Sequence, residues 1–372
     1  MKYCKKCVLP ETSALKVSFD EDGVCSACRV AEEGKTVNWD EMEKKLKAIL
    51  GQYRSKDRSN YDCVIGVSGG KDSHFITYMI KEVYGLNPLC VTYNHTWFTE
   101  AGKRNLENLR TKFNVDHIMF TPKAEVVRKL ALISLRKMGD ICWHCHAGIS
   151  TYPVQIAIKF KIPLIVWGEG SLRDLAGQYS YREGAEMNRD NRLNLALRGF
   201  EWHDMMEDGL TKEDLLCYVY PSIDEMEAVG VRGIYLGNYI PWDNFKQTEL
   251  MIKKYGFESA PRERTFNEYE NVECIYPGTH DYLKWIKFGY GRATDHACQR
   301  IRLGKMTREE GFRMVEKYDV QRPASLDKFL EWSGMTEKEF VDIAKSMINP
   351  KYKALIEKGA LPDFLLKAVR DL

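Results

Sequence analysis

Six consecutive residues carry the groups that bind phosphate. They are Ser68, Gly69, Gly70, Lys71, Asp72 and Ser73. Adjacent glycines let a backbone approach an anion closely, and the hydroxyls and the lysine add hydrogen-bond donors. An aspartate repels a bare anion, so Asp72 is better explained as a ligand of a Mg²⁺ ion that accompanies the phosphates. The stretch therefore predicts a phosphate site with magnesium.

The spacing of the glycines distinguishes this loop from two common nucleotide-binding loops. A Walker loop needs four residues between its glycines and a serine or threonine after its lysine. Only three residues separate Gly66 from Gly70, and Asp72 follows Lys71. The G-x-G-x-x-G pattern of dinucleotide-binding loops is also absent. A glycine-rich turn that binds nothing is the alternative, and the density of donors argues against it.

Four cysteines near the N-terminus have the spacing of zinc-ribbon ligands. Cys4 and Cys7 form one C-x2-C pair, and Cys25 and Cys28 form a second pair after seventeen intervening residues. Four thiolates complete a tetrahedral site, so such a zinc ion is structural and stabilises a segment too short to build its own core. Four unrelated buried cysteines, or two redox pairs, are the alternatives.

Alternating strand and helix patterns predict the domain that positions the loop. Apolar runs occur at "DCVIGV", "PLCVTY", "VDHIMF", "PLIVWG" and "GIYLGNYI". Helical patterns separate them, at residues 73–84, 101–113, 125–137 and 154–161. Short apolar strands separated by helices predict an α/β fold, a doubly wound parallel sheet that binds ligands at the carboxyl ends of its strands.

Changes in composition divide the chain into four predicted parts. Residues 1–35 form the zinc ribbon, 36–58 a connecting helix, 59–240 the α/β domain and 241–372 a helical C-terminal region that closes over the sheet. The stretches "TREE" and "TEKE" in the last part are capping boxes, which mark the starts of helices. Inert packing is the alternative role for the end of this region.

Overall charge and apolar content restrict the expected partners and location. Lys and Arg number 55 against 53 Asp and Glu, a formal charge of +2, so no nucleic-acid partner is expected. No apolar run reaches the length of a membrane span, and the N-terminus lacks the apolar core of a signal peptide. An odd count of 11 cysteines favours reduced thiols. A cytoplasmic location is therefore expected.

The "SGGKDS" stretch after the first strand resembles the signature of the PP-loop ATP pyrophosphatases. Further stretches resemble one branch of them, the N-acetyl sugar amidotransferases of surface-polysaccharide biosynthesis (the WbpG/PseA-like group). These stretches are "CKKCVLPET", "GVCSAC", "TWFTEAGKRNLENL", "CWHCHAGI", "VWGEGS" and "FGYGRATDHACQRIRLGKMTREEG". The last of them is the most discriminating, and the resemblance covers most of the chain.

This resemblance implies an AMP-forming amidotransferase of LPS O-antigen or other surface-glycan biosynthesis. ATP with Mg²⁺ would adenylate the N-acetyl oxygen of a nucleotide-linked diacetamido sugar, and ammonia would displace AMP to leave an acetamidino group. A separate class I amidotransferase-like glutaminase subunit would supply the ammonia. Residues 68–73 would hold the pyrophosphate moiety, with Lys71 stabilising its charge and Asp72 holding Mg²⁺.

Polar residues after two strands, and an arginine-rich insertion, are further candidates. Glu169 follows the fourth strand, where it would position ammonia or the acetamido group, or cap the next turn. Asn94 and His95 follow the second strand and are expected near adenosine. Four arginines of the insertion would clamp a nucleotide diphosphate, or form a solvated helix face: Arg182, Arg189, Arg192 and Arg198.

The "YGRATDHACQRIR" stretch adds two candidates from the C-terminal region. An arginine that faces departing pyrophosphate and an aspartate near Mg²⁺ or the sugar suit electrostatic catalysis of adenylation. Arg292 and Asp295 are therefore predicted catalytic residues. His296 is expected to be packed or on the surface.

A second cysteine pair supports a rival prediction. Some PP-loop tRNA thiolation enzymes also have an N-terminal zinc module, and hold an iron–sulfur cluster with a C-x2-C pair and a distant cysteine. Here the ligands would be Cys142, Cys145 and Cys298. A structural pair near the ATP site, or thiol chemistry, are alternatives, and the balanced charge disfavours an RNA substrate. A zinc-ribbon scaffold with a degenerate loop is a third hypothesis, disfavoured because "SGGKDS" is intact.

Overall fold

A parallel β-sheet forms the centre of the fold. The computed structural model describes residues 1–168 and 171–372, and every strand pairing of the sheet in these ranges is parallel. The strands are β1 Cys63–Gly66, β2 Pro88–Tyr93, β3 Asp116–Phe120, β4 Leu164–Trp167 and β5 Arg232–Tyr235. The predicted doubly wound α/β fold class is confirmed.

The strand order places the glycine loop at a ligand-binding crevice. Within the described residues the order is β3-β2-β1-β4-β5, so the chain runs one way from β1 to β3 and the other way from β4 to β5. Ile65 of β1 pairs with Cys90 on one side and Val166 on the other. Such a reversal opens a crevice beyond the carboxyl ends of the two central strands. The loop follows β1 and lies there.

Helices cover the sheet and form the C-terminal region. Their bounds are α1 Ser26–Gly34, α2 Trp39–Tyr53, α3 Lys71–Tyr78, α4 Glu100–Lys112, α5 Ala124–Met138, α6 Trp143–Lys159, α7 Ser171–Ala176, α8 Arg189–Asn191, α9 Ile223–Val229, α10 Asn244–Leu250, α11 Pro277–Phe288, α12 Arg292–Arg302, α13 Arg308–Tyr318, α14 Ser325–Ser333, α15 Glu337–Ser346, α16 Pro350–Glu357 and α17 Asp363–Arg370. Both predicted capping boxes are present, at the starts of α13 and α15.

Close packing of α6 on the sheet depends on a glycine. A Cβ atom on Gly148 would lie 2.4 Å from the ring of Tyr93 at the end of β2. A larger residue would push the helix away from the sheet, because this distance is far below carbon–carbon contact. Gly148 therefore sets how near the cysteine-bearing start of α6 lies to the strand ends.

Three predicted boundaries differ from the structure. The strand predicted over 233–240 ends at Tyr235, and a 3-10 turn over Leu236–Asn238 follows. The helix predicted over 154–161 begins instead at Trp143 and contains Pro153. The C-terminal region is not helical throughout, since residues 256–276 form irregular chain.

Local backbone geometry explains why residues 256–276 form no helix. Arg264 and Asn271 adopt φ angles of +58° and +49°. A helix cannot contain such left-handed residues, which interrupt its hydrogen-bond ladder. The segment instead makes isolated contacts, such as the antiparallel bridge between Phe98 and Cys274. It reaches the glycine loop, as described below.

The described part of the chain contains no helix that is both long and apolar enough to cross a membrane.

Candidate active site

The glycine loop joins β1 to α3 in the predicted manner. Gly70 is the N-terminal cap of α3, and Gly69 has a φ of +80°, in the region that favours glycine. The backbone N–H of Ser68 donates to Ser73 Oγ at 2.9 Å, which closes the loop on itself. A helix N-terminus directs unpaired N–H groups outward and favours anions. The loop is therefore a preformed anion site.

Lys71 lies between two carboxylates at the start of α3. Its side chain is 6% exposed, and Nζ is 2.6 Å from Asp72 Oδ2 and 3.3 Å from Glu270 Oε1. The Asp72 side chain is 36% exposed and faces the cavity described below. A carboxylate in that position can coordinate Mg²⁺ that carries phosphates. Lys71 is held in place by charges on both sides.

Glu273 adds a third carboxylate to the loop. Its Oε1 accepts a hydrogen bond from Ser68 Oγ at 3.3 Å, while its Oε2 is buried with no hydrogen-bond partner among the described residues. A Cβ on Gly70 would lie 3.2 Å from that Oε2. Burial raises the pKa of Glu273, and Lys71 and Ser68 offset this only in part. A buried oxygen without a donor is costly unless a ligand such as a cation approaches it.

Sequence reasoning missed Glu270 and Glu273. Both belong to the irregular segment 256–276, which has no periodicity to indicate that it meets a loop some two hundred residues earlier. The segment is anchored where the backbone N–H of Thr99 donates to the Glu273 carbonyl at 3.0 Å. The one available signal was the E-x2-E spacing in "EYENVEC", which is too common to be specific.

A cavity of about 640 Å³ connects the loop to the C-terminal helices. Its walls include Ser68, Asp72 and Ser73 of the loop together with Arg292 and Asp295 of α12. The structure thus brings these predicted residues together. Gly168, at the carboxyl end of β4, also lines the cavity, whereas Glu169 lies outside the described residues.

Charged partners fix the orientation of the α12 side chains. Arg292 contacts both oxygens of Asp281, with Nε to Oδ2 at 3.1 Å and Nη2 to Oδ1 at 3.0 Å. Asp295 pairs with Lys284 of α11, which also lines the cavity. Burial alone would raise the pKa of Asp281, but Arg292 holds it below its ordinary value. These ion pairs fix the orientation of two cationic side chains, Arg292 and Lys284, which can then face an anionic ligand without rearranging.

His296 is packed, as expected, but it contacts the loop network. Its Nδ1 is 2.6 Å from Thr265 Oγ1, and its Nε2 is 3.9 Å from Glu270 Oε1. Burial lowers the pKa of His296 to about 3. The ring is therefore neutral and lies beside Glu270, the partner of Lys71.

The four arginines of the insertion separate into two groups. Arg192 and Arg198 line the cavity, where Arg192 pairs with Glu201 at 2.8 Å and Arg198 with Asp140 at 2.6 Å. Arg182 is 88% exposed, and Arg189 lies at a separate surface groove. Two of the four are therefore in position to contact a cavity ligand.

Asn94 and His95 lie outside the cavity wall formed by the described residues. Asn94 Nδ2 donates to Thr121 Oγ1 at 2.9 Å, and the His95 ring stacks on Phe98 with centroids 4.4 Å apart. Burial lowers the pKa of His95 to about 4, so the ring is a neutral, packed group. Their contact with adenosine stays a prediction.

The four N-terminal cysteines converge on one point. Their Sγ atoms all lie within 4.8 Å of one another, with Cys4 to Cys28 at 3.9 Å and Cys7 to Cys25 at 3.7 Å. Zinc–sulfur bonds of about 2.3 Å in a tetrahedron separate the sulfurs by about 3.8 Å. All four residues are buried, and backbone N–H groups of residues 6, 7 and 25 point at Cys4 Sγ. The cluster can therefore hold a metal ion.

The cysteine module also forms part of the cavity wall. Leu9, Ser13, Ala14 and Leu15 line the cavity, and the backbone N–H of Ala14 donates to the Tyr290 hydroxyl at 2.9 Å. Metal binding at the cysteines would therefore stabilise one side of the site as well as the N-terminal segment.

The proposed grouping of Cys142, Cys145 and Cys298 is wrong for Cys298. Cys298 of α12 packs beside Cys7 in the N-terminal cysteine cluster. Cys142 and Cys145 lie at the start of α6, and their nearest other thiol partner is Cys274 of the irregular segment. Burial, followed by nearby negative groups, raises the pKa of Cys142 and Cys145. Free thiolates are therefore disfavoured at this pair.

A known protein family matches the part of the chain that contributes the C-terminal residues of this site. Residues 263–355 match the family described as "LPS biosynthesis protein WbpG-like, C-terminal domain". Because of this similarity, residues 263–355 are called the WbpG-like domain below. The resemblance predicted from the sequence is thereby confirmed over the matched residues. The WbpG-like domain contains Glu270 and Glu273, which contact the loop, and Arg292 and Asp295, which line the same cavity.

Two curated relatives come from Methanocaldococcus jannaschii. "Uncharacterized protein MJ1599" is 27% identical over 113 residues, which are 30% of this chain and 40% of the relative. "Uncharacterized protein MJ1016" is 26% identical over 137 residues, 37% of this chain and 45% of the relative. The chain thus spans less than half the length of each curated relative that it matches.

Solved structures similar to this chain include two enzymes. An NH3-dependent NAD synthetase from Campylobacter jejuni is 11% identical, with a TM-score of 0.29 over 52% of this chain and 92% of that chain. The U34-tRNA thiolase NcsA from Methanococcus maripaludis, with its [4Fe-4S] cluster, is 14% identical. The TM-score is 0.33, over 82% of this chain and 88% of that chain. These scores add no detail to the site.

Proposed function

We propose that the protein is an ATP-dependent, AMP-forming amidotransferase that acts on the acetamido group of a nucleotide-linked sugar. The observation that carries the proposal is the meeting of the PP-loop with the WbpG-like domain around one cavity. The loop supplies phosphate donors, and the domain supplies Arg292, Asp295 and two further carboxylates.

ATP and Mg²⁺ are assigned to the loop side of the cavity. Lys71 and the N-terminus of α3 stabilise the charge that develops on pyrophosphate as the bond between the α- and β-phosphates breaks. Asp72 would hold Mg²⁺, with Glu273 as a candidate second oxygen ligand. Lys71 keeps its orientation through Glu270, so it acts without reorganising during the reaction.

The acceptor is assigned to the opposite wall. The acetamido oxygen attacks the α-phosphate of ATP, which forms an adenylated imidate and releases pyrophosphate. Ammonia then adds to the imidate carbon and AMP leaves, so the oxygen departs with AMP and nitrogen replaces it. Arg192 and Arg198 line the cavity and suit the diphosphate of the sugar nucleotide. A glutaminase partner would supply the ammonia.

Zinc is assigned to the four N-terminal cysteines. Their sulfur spacing matches a closed tetrahedral site, and Arg302 Nη2 lies 3.8 Å from Cys7 Sγ, where it offsets thiolate charge. A closed site has a structural role, so this ion would hold the segment with Leu9 and Ala14 against the cavity.

A second candidate function rests on the middle cysteines. Cys274 is close enough to Cys142 and to Cys145 to raise the pKa of both, so these three thiols are candidate ligands of an iron–sulfur cluster. The protein would then transfer sulfur to an adenylated nucleic acid base. The formal charge of +2 disfavours such a substrate.

Measuring the reaction products distinguishes the two candidate functions. Full-length protein is incubated with ATP, Mg²⁺, ammonium and UDP-linked diacetamido sugars, and AMP and the sugar mass are measured. We expect AMP in step with a product in which an NH group has replaced one oxygen atom. An Asp72→Asn variant should lose both products, and an Asp57→Asn variant, changed at an exposed turn, should keep them. AMP formation that requires tRNA and a sulfur donor instead would refute the amidotransferase proposal.

A further inference from the structure

A cluster of mixed ligands lies beside the cavity, away from the loop. Asp140, Cys142 and His280 each offer one ligand atom, and the three atoms all lie within 4.8 Å of one another. Asp140 and Cys142 precede and cap α6, whereas His280 is in the first turn of α11. Two distant parts of the chain therefore bring an oxygen, a sulfur and a nitrogen donor to one point.

The geometry points to a site for one divalent cation of the zinc class, which we propose as a second metal centre with ligands Asp140, Cys142 and His280. This centre goes beyond the proposed function, which places zinc only at the N-terminal cysteines. Asp140 Oδ1 is 3.0 Å from His280 Nδ1. Bonds of about 2.0–2.2 Å from zinc to nitrogen and oxygen separate such ligands by about 3.3 Å, so small side-chain rotations are sufficient.

Neighbouring groups orient the Asp140 carboxylate without filling the site. The backbone N–H of Cys142 donates to Oδ1 at 2.9 Å, and Arg198 pairs with Oδ2 at 2.6 Å. Partners of this kind fix metal-binding carboxylates in known sites. The Asp140 side chain is only 3% exposed, so its charge must be compensated inside the protein. Arg198 supplies one positive charge, and a bound dication would also balance the charge of a Cys142 thiolate.

The fourth coordination position faces the cavity. His280 and Arg198 both line the cavity, as does His146, whose ring centroid is 5.9 Å from that of His280. Three protein ligands with an open position are typical of a reactive zinc site, whereas the four N-terminal cysteines form a closed one. The open position would take a lone-pair donor from the cavity, such as water or ammonia.

Metal content of the full-length protein tests the site. After loading with zinc and removal of excess metal, we expect roughly two zinc ions per chain, one in each centre. Cys142→Ser and His280→Asn should each reduce this to roughly one. Cys145→Ser is the matched control, one turn along α6 and outside the ligand set, and should keep both. Circular dichroism checks that each variant is folded. If Cys142→Ser does not fold, the zinc content of His280→Asn tests the site instead.

Cobalt substitution provides an independent readout. Co²⁺ in the second centre should add visible absorption with a thiolate charge-transfer band that disappears in Cys142→Ser. Wild-type protein that holds only one zinc, or variants that keep the full content, would overturn the proposal. Iron with acid-labile sulfide that is lost in Cys145→Ser would overturn it in favour of a cluster. Amidotransferase activity in wild-type protein that takes up only one zinc would refute this centre and leave the proposed function intact.

Discussion

Replacing Gly102 with alanine tests whether α4 and the segment with Glu273 must touch. A Cβ on Gly102 would lie 2.4 Å from Glu273 Cα and 2.9 Å from its carbonyl oxygen. Carbon atoms normally approach to about 3.5–4.0 Å, so the backbone of the segment must move by about 1 Å or more. No side-chain rotation can relieve this contact, because the atoms belong to the main chain.

The magnitude follows from two opposing effects. Alanine in a helix is favoured over glycine by about 1 kcal/mol, whereas overpacking a fixed contact costs about 1–3 kcal/mol. We expect Gly102→Ala to lower the free energy of unfolding by up to about 2 kcal/mol. The movement also separates Glu273 from Ser68, now 3.3 Å apart, so ATP binding with Mg²⁺ should weaken. Urea unfolding and the ATP-dependent shift in melting temperature measure the two effects.

Gly51→Ala is the matched control. Gly51 is exposed near the end of α2, and a Cβ there would have no heavy atom within 4 Å. The same substitution should therefore stabilise the protein by a few tenths to about 1 kcal/mol and leave ATP binding unchanged. If Gly102→Ala is as stable as Gly51→Ala and binds ATP normally, the reasoning about the packed carboxylate segment is wrong.

Three further perturbations address the loop, the metal and the buried histidine. Lys71→Gln should reduce AMP formation by about 10²-fold or more, because a preoriented charge on the leaving group is lost, while Lys112→Gln on exposed α4 should not. Chelation of metal from the N-terminal cysteines should lower the melting temperature and expose residues near Leu9 to protease; an unchanged protein would contradict a structural ion. His296 has a folded pKa of about 3, below the ordinary 6.5, so its contribution to stability is present above about pH 6.5 and falls by about 1.4 kcal/mol per pH unit below it. His296→Asn should flatten the stability profile by that slope between pH 6.5 and 5, and equal slopes would contradict neutral burial.

The parts of the fold with strong local signals were predictable. Each predicted strand appears in the sheet, because continuous apolar runs of this length are stable only when both faces are buried. The glycine loop was predictable in place and in kind, since Gly69 needs a positive φ and the donors are consecutive in sequence. The cysteine module followed from spacing alone, because ligands on two short knuckles need no information from the rest of the chain.

The parts that depend on contacts between distant residues were not predictable. Glu273 reaches the loop because Gly102 lets the backbone of Glu273 approach α4 closely. Neither residue, read alone in the sequence, predicts this contact. Cys298 seemed a suitable third thiol by type, but the turn of α12 directs it to Cys7. The helix predicted to begin at residue 154 in fact begins at Trp143. Pro153 interrupts the helical pattern of the sequence, so the prediction started after it, but the proline does not end the helix in the structure.

The positions of the carboxylates explain why the loop needs the C-terminal domain. A PP-loop supplies donors for phosphate but only Asp72 as an oxygen ligand, and Mg²⁺ takes up near-octahedral oxygen coordination. In the proposed function Glu273 would provide a second oxygen, and Glu270 lies opposite Asp72 so that Lys71 is between two negative charges. Both glutamates come from the WbpG-like domain, whose α12 also presents Arg292 to the same cavity. If the proposed function holds, the α/β domain alone should bind nucleotide weakly, since the groups that complete its charge balance lie on the part of the chain that also lines the cavity.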